Sequence, residues 1–231
     1  MHPVRAALAN PRRKLHRAVL TENAAAAIGP QLLGKVKHQI APADTVARVV
    51  PPGAIHQGAA LLCEPLPAME LETALANSRP GGRIVAVLDQ VSDPHNVGAI
   101  LRSAAALGVS AVIVQNRNAP PQTGTLAKSA SGALDLVPYV EVVNIARSLE
   151  QLGDLQFWRV ALTGDSEQSI EDIDQFGDVA IVLGSEGAGI RRLVRERCDV
   201  TAGIPVTPKM ESLNVSVAAA IAFYALRRPQ G

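Results

Sequence analysis

The chain has only two cysteines, Cys63 and Cys198, set far apart and without metal-ligand spacing. A disulfide framework and a zinc motif are therefore set aside, and two buried free thiols in a reducing cytoplasm are expected. No uninterrupted apolar run reaches the roughly 18 residues of a membrane span. Residues 1–17 are basic but lack the apolar centre of a secretory signal. Neither G-x-G-x-x-G after a first strand nor G-x-x-x-x-G-K-S/T occurs, which removes the dinucleotide and P-loop readings. No Ser/His/Asp or Cys/His order stands out. His56 and His95 have no metal-ligand partner at standard spacing, so no metal is expected. There is no internal repeat and no low-complexity tract.

What is present is a globular profile, 48% apolar and 19% charged, in 231 residues, long enough for one or two domains with a sizeable core. Net charge is only +1, but residues 1–48 carry eight Lys/Arg against two acidic groups. That asymmetry suits an N-terminal part that meets a polyanion, although a solvated basic face accounts for it equally well.

Residues 1–66 form a small α/β unit. A helix over 2–10 ends at Asn10-Pro11, because the residue before proline avoids the helical region. Strands are expected at 15–20, 39–40 and 59–63, with helices at 23–34, flawed by Gly29-Pro30, and at 44–50. Two Pro-rich breaks bracket one short helix over 68–79, and 67–82 is taken as a linker between domains 1–66 and 83–231. Beyond Arg83, strands are expected at 84–88, 111–114, 136–143, 158–163, 179–183 and 200–206. Helices are expected at 96–108, 145–152, 189–198 and 213–228, and 123–132 is a loop with a helical turn. Val97, Ile100, Leu101 and Ala104 give the 96–108 helix its apolar stripe, and Gly108 closes it. The alternation predicts a mainly parallel sheet with helices on both faces. The last helix is apolar on nearly every side and should be buried, in the core or against another subunit.

Three polar turns fall at strand ends, where an α/β sheet places a ligand. The first is Asp93-Pro94-His95-Asn96-Val97-Gly98, followed by Arg102. The second is Val182-Leu183-Gly184-Ser185-Glu186-Gly187-Ala188-Gly189. The third is Ile204-Pro205-Val206 with Glu211-Ser212-Leu213-Asn214-Val215-Ser216. A glycine turn alone is a common structural joint, yet a bare backbone lets an adenine or ribose approach closely, and Glu186 adds a carboxylate. Asn96 and Ser212 stand where helix N-caps belong, with Asn214 in the first turn of the last helix. Arg102 lies off the apolar stripe, where a surface salt bridge is its ordinary role. Composition and spacing stop at an α/β domain with a ligand site at three strand ends.

Together, however, the three blocks closely resemble the signature motifs of the SpoU (TrmH) family of RNA ribose 2′-O-methyltransferases, within the SPOUT superfamily. The resemblance covers 83–228. Residues 1–66, with His56-Gln57-Gly58, more loosely resemble the family's RNA-recruiting domain, a ribosomal-protein-like α/β unit. The resemblance implies a trefoil-knotted α/β domain, S-adenosylmethionine (SAM) bound in the knot, and a homodimer through the last helix. It implies SAM contacts at Thr163, Gly164, Leu183, Gly184, Gly187, Ile204, Val206, Ser212 and Leu213. It maps the catalytic constellation onto Asn96, Arg102, Glu186, Ser212 and Asn214. The family assigns proton removal to Arg102. A guanidinium stays protonated, so clamping a phosphate, with Asn96 and Glu186 positioning it and water or the phosphate taking the proton, is the alternative.

Two departures stand out. Where relatives place Met and Gly after Ile204-Pro205, this chain has Val206-Thr207-Pro208-Lys209-Met210. Its lead-in is short, so the N-terminal domain is expected to lack its first strand. The implied activity is SAM-dependent 2′-O-methylation of a guanosine in 23S rRNA, in the cytoplasm, on the RNA or a large-subunit precursor particle and at no membrane. A tRNA 2′-O-methyltransferase, an RNA-binding ribosome assembly factor without turnover, and a small-molecule nucleotide enzyme are the competing readings. The last of these leaves the basic N-terminal excess unexplained.

Overall fold

The computed structural model of the chain describes residues 1–76, 82–173, 177–207, 209 and 212–227. Its first part runs α1 (His2–Ala9), β1 (Leu15–Leu20), α2 (Glu22–Ile28), α3 (Pro30–Leu33), β2 (Lys37–Ile40), α4 (Ala43–Arg48) and β3 (Ala59–Cys63). Central β1 pairs parallel with β2 and antiparallel with β3. Thr21 caps α2 by accepting from the Ala24 N–H at 3.3 Å, and Gly29, at φ 88°, divides the expected 23–34 helix in two. Ala18, Leu20, Ala24, Ile28 and Leu33 pack together on one side of the sheet, and Val19, Val46 and Ala60 on the other.

The second part runs α5 (Leu71–Ala74), β4 (Ile84–Asp89), α6 (Pro94–Leu107), β5 (Ala111–Gln115), α7 (Gly124–Ser129), β6 (Tyr139–Val142), α8 (Ile145–Asp154), β7 (Phe157–Leu162), β8 (Asp178–Gly184), α9 (Arg192–Arg195), β9 (Val200–Ala202) and α10 (Val215–Leu226). Its six strands are all parallel, in the order β6-β5-β4-β8-β7-β9. The continuous apolar runs of β4 and β8 follow from burial on both faces. Val85, Val87, Ala180 and Val182 pack with Leu71, Ile145, Leu149 and Leu152, while Ala86, Leu88, Ile181 and Leu183 pack with Val97, Ile100, Leu101, Ala219 and Phe223. Each fully buried Leu or Ile of this kind contributes about 1.5–3 kcal/mol. Helices therefore cover both faces, as the alternation predicts.

Several expected boundaries move. The helical turn expected within 123–132 is a six-residue helix, α7. The 136–143 strand shrinks to β6 behind a 3-10 turn over Ala133–Asp135. The 189–198 helix contracts to the four residues of α9 and the 200–206 strand to the three of β9. Pro205 has no N–H for a ladder, and Gly203 instead donates to the Gln168 carbonyl at 2.8 Å. The 68–79 helix survives as α5, with 77–79 outside the described residues, as is Arg228 at the expected end of the last helix.

The two parts are joined by buried polar contacts. Arg13 Nε donates to Asp135 Oδ1 at 2.9 Å, with the two side chains only 4% and 3% exposed. Arg13 also donates to the Glu64 carbonyl at 3.0 Å, and Asn10 donates to Asp135 Oδ1 at 3.1 Å. Farther along, the Leu66 N–H donates to Gln122 at 2.9 Å. The two cysteines are free and half-buried, and burial pushes the Cys198 thiol up to about 12.

Candidate active site

The parallel register brings two of the polar turns side by side, because Asp89 of β4 lies opposite Gly184 of β8. After Gly184 the chain folds back in a bridge between Ser185 and Gly189, with Gly187 at φ 84° and Gly189 at φ 65°. A Cβ on Gly184 would lie 2.2 Å from the Gly189 carbonyl carbon and 2.4 Å from Ile190 N, so only glycine allows this return. Asp89 pins the far end of the loop. It is fully buried and accepts from the Arg191 N–H at 2.8 Å and from Arg191 Nε at 2.8 Å. Arg191 also donates to Gln115 at 3.1 Å. Sequence reading stops the strand at Leu88 and misses Asp89; an aspartate directly after a buried apolar run was the available signal.

Between this loop, the end of β7 and the segment before α10 lies a cavity of about 670 Å³. Thr163, Gly164, Leu183, Gly184, Gly187, Ile204, Val206, Ser212 and Leu213 all line it, so every residue expected at the cofactor is gathered there. Its walls are largely aliphatic side chains and bare backbone. Asp165, Glu186 and Arg195 are the charged groups among its described lining residues. Of the 206–210 departure, Val206 faces the cavity, while Pro208 and Met210 lie outside the described residues, as does Glu211 of the third turn.

The three turns meet at the cavity edge. Asn214 Nδ2 donates to Glu186 Oε1 at 2.6 Å and to Asn96 Oδ1 at 3.0 Å, and Asn96 Nδ2 donates to the same Glu186 oxygen at 3.2 Å. Two capping expectations are corrected by this geometry. Asp93, not Asn96, caps α6, accepting from the His95 N–H at 3.0 Å ahead of Pro94. Asn214, not Ser212, caps α10, and its Oδ1 accepts from Ser216 N at 2.9 Å and Ser216 Oγ at 2.6 Å. The cap fixes which end of the Asn214 amide faces inward: the oxygen is used by the helix, so the N–H₂ must point at Glu186 and Asn96. Release from capping leaves Asn96 free to complete the ring.

Two expected catalytic residues stand apart from this ring. Ser212 lines the cavity and is exposed. Arg102 is exposed, lies outside the cavity lining, and makes no hydrogen bond or ion pair with another described residue. It sits about 9 Å along α6 from Asn96 and about 120° around it by helical geometry. Gly98 of the first turn has a packing role, since a Cβ there would meet Ser129 Cβ of α7 at 2.4 Å. His95 shares a 3.2 Å hydrogen bond with the Ser129 hydroxyl.

The model of the SpoU rRNA Methylase family matches residues 83–224. The chain is 44% identical over 176 residues to the 23S rRNA (guanosine-2′-O-)-methyltransferase RlmB of Coxiella burnetii, covering 75% of this chain and 70% of that protein. It is 48% identical over 150 residues to RlmB of Xylella fastidiosa, covering 65% and 60%. Across these two relatives, then, the chain spans between 60% and 70% of their length. Among solved structures, the SpoU methyltransferase AviRb from Streptomyces viridochromogenes, in complex with AdoMet, superimposes with a TM-score of 0.81 at 21% identity, over 97% of this chain and 86% of that one. An AdoMet-bound rRNA methyltransferase from Sinorhizobium meliloti gives 0.78 at 21% identity, over 100% and 85%. With all three motif turns brought to one cavity edge and the family model spanning the parallel-sheet part, this chain belongs to the SpoU rRNA methylase family.

Proposed function

We propose that the protein transfers a methyl group from SAM to a ribose 2′-hydroxyl of RNA, at a guanosine of 23S rRNA. The observation that carries this is the Asn96–Glu186–Asn214 ring at the rim of the cavity that gathers all nine expected cofactor residues. The names of the Coxiella and Xylella relatives support the substrate.

The cavity fits the cofactor. Leu183, Ile204 and Leu213 offer aliphatic walls for an adenine, and Gly184 and Gly187 offer backbone that side chains do not obstruct. Bound there, SAM would supply a sulfonium-activated methyl. The remaining work falls to this chain. Asn96 and Asn214 hold the Glu186 carboxylate through one oxygen, and neither asparagine takes the other. The Arg102 guanidinium holds an RNA phosphate rather than removing a proton, and the phosphate or a water takes the hydroxyl proton.

We extend the reading to the whole molecule. Residues 1–66 form an RNA-recruiting domain joined by 67–82 to the methyltransferase domain, supported by their separate sheet and the basic excess of 1–48. A trefoil knot over the C-terminal segment is supported by Gly203, which holds to 168–170 while α10 returns beneath the sheet. A homodimer through α10 is supported by exposed Val217, Ile221 and Tyr224, which stand at helical spacing on one stripe. A cytoplasmic location goes with the proposed ribosomal substrate; among the described residues no helix is long and apolar enough to cross a membrane.

The test is methyl transfer from labelled SAM, offered separately to unmodified 23S rRNA and to bulk tRNA. Label in rRNA that leaves one dinucleotide resistant to alkali is expected. Label in tRNA alone would overturn the substrate, and SAM binding without transfer to either RNA would favour an assembly factor.

A further inference from the structure

The cavity carries a second polar feature besides the Asn96–Glu186–Asn214 ring at its edge. Arg195 Nη1 meets Asp165 Oδ2 at 3.1 Å, and both residues line the cavity. The neighbouring arginines are committed elsewhere: Arg191 to Asp89, Arg192 to Glu196 at 2.5 Å, and Arg197 to Glu150 at 2.9 Å. Arg195 alone of the four turns to the cavity. Asp165 is set by its turn, in which Ser166 Oγ donates to the Thr201 carbonyl at 3.0 Å. The Arg195 guanidinium beside it holds the Asp165 carboxyl below its ordinary range.

Charge matching assigns the pair a ligand group. SAM carries a sulfonium, an ammonium and a carboxylate, and the three charged side chains of the described lining carry the opposite set: Glu186, Asp165 and Arg195. Glu186 is held by the two asparagines at the reaction edge, which leaves a cation and an anion side by side for a zwitterion. Resting on the SAM reading of this cavity, we propose that Arg195 and Asp165 form the subsite for the amino-acid end of the cofactor. Arg195 takes its carboxylate and Asp165 its ammonium, and the Asp165–Arg195 pair stands in for those contacts in the free protein. A guanidinium beside a carboxylate is the geometry that recognises such a head group by charge-assisted hydrogen bonds.

Calorimetric titration of the full chain separates this from an ordinary surface ion pair. Three probes serve: SAM, decarboxylated SAM, and 5′-methylthioadenosine, which lacks the amino-acid end. The unaltered protein should bind SAM about tenfold more tightly than its decarboxylated form, the scale of one charge-assisted contact at a half-exposed site. Arg195→Gln should bring that ratio to within about twofold while leaving 5′-methylthioadenosine affinity unchanged, and Arg195→Lys should restore part of it. Asp165→Asn should weaken decarboxylated SAM about threefold to tenfold, because the ammonium remains on that probe. A tenfold ratio that persists in Arg195→Gln overturns the carboxylate assignment, and unchanged binding in Asp165→Asn overturns the ammonium one. If the unaltered protein binds 5′-methylthioadenosine but shows no preference for SAM, the subsite is wrong while the cavity reading stands; if it binds none of the three, the cavity reading itself fails.

Discussion

At the scale of the residue, the site depends on which polar atoms are left over once local structure has taken its share. Asp93 takes the cap of α6, so the Asn96 amide is spare. Asn214 gives its oxygen to α10 and keeps its N–H₂ for Glu186. Asn96→Ala removes a donor to Glu186 and an acceptor for Asn214 without touching the cavity lining. Methyl transfer should fall about 100-fold, the usual cost of one preorganised hydrogen-bonding group, with SAM affinity within about twofold. Single-turnover rates and calorimetry on the same preparation would check both halves, and a rate within threefold of normal would remove Asn96 from the machinery. Arg102→Ala bears on a residue outside the cavity, so it too should spare SAM binding while reducing transfer to RNA at least about 100-fold. Turnover at the normal rate would exclude both the base and the phosphate-clamp roles.

At the scale of the element, the glycine loop after β8 holds its shape by close backbone approach at one end and a buried carboxylate at the other. Gly184→Ala forces a methyl into the Gly189–Ile190 backbone, an overpacking cost of about 2 kcal/mol, and lowers the melting temperature by about 5 °C. Because this loop is one wall of the cavity, SAM affinity should fall more than about tenfold, beyond what a remote substitution of equal cost would cause. Calorimetry beside a thermal melt makes the comparison. Unchanged affinity with a lowered melting temperature would show that the cavity tolerates displacement of this loop.

For the whole molecule, the buried ion pair that joins the basic N-terminal part to the rest is Arg13 with Asp135. Removing one partner of a buried pair leaves an uncompensated charge, so Asp135→Ala should cost about 3–5 kcal/mol and lower the melting temperature by about 10 °C. Replacing both, as Arg13→Met with Asp135→Leu, should recover most of that loss. Differential scanning calorimetry of the two variants reads the difference, and a single variant as stable as the unaltered chain would mean that the docking rests on other contacts.

The sequence alone determined the alternation of strands and helices, the parallel sheet, and the three polar turns, because a strand buried on both faces must be apolar along its length and its ends must carry the polar groups. Asn96, Glu186 and Asn214 were named through the resemblance of those contiguous motifs to a known family, and the structure joins the three by hydrogen bonds. The ends of elements were less legible: Pro205 and Gly203 shorten β9, and Asp93 and Asn214 take the caps expected at Asn96 and Ser212. Only the tertiary structure decided that Asp89 anchors the glycine loop, that Arg13 lies buried against Asp135, and that Arg195 rather than its three neighbours meets the cavity. Those contacts join residues 102, 122 and 30 positions apart, and such pairings are set by register and packing, to which no local pattern in the chain refers.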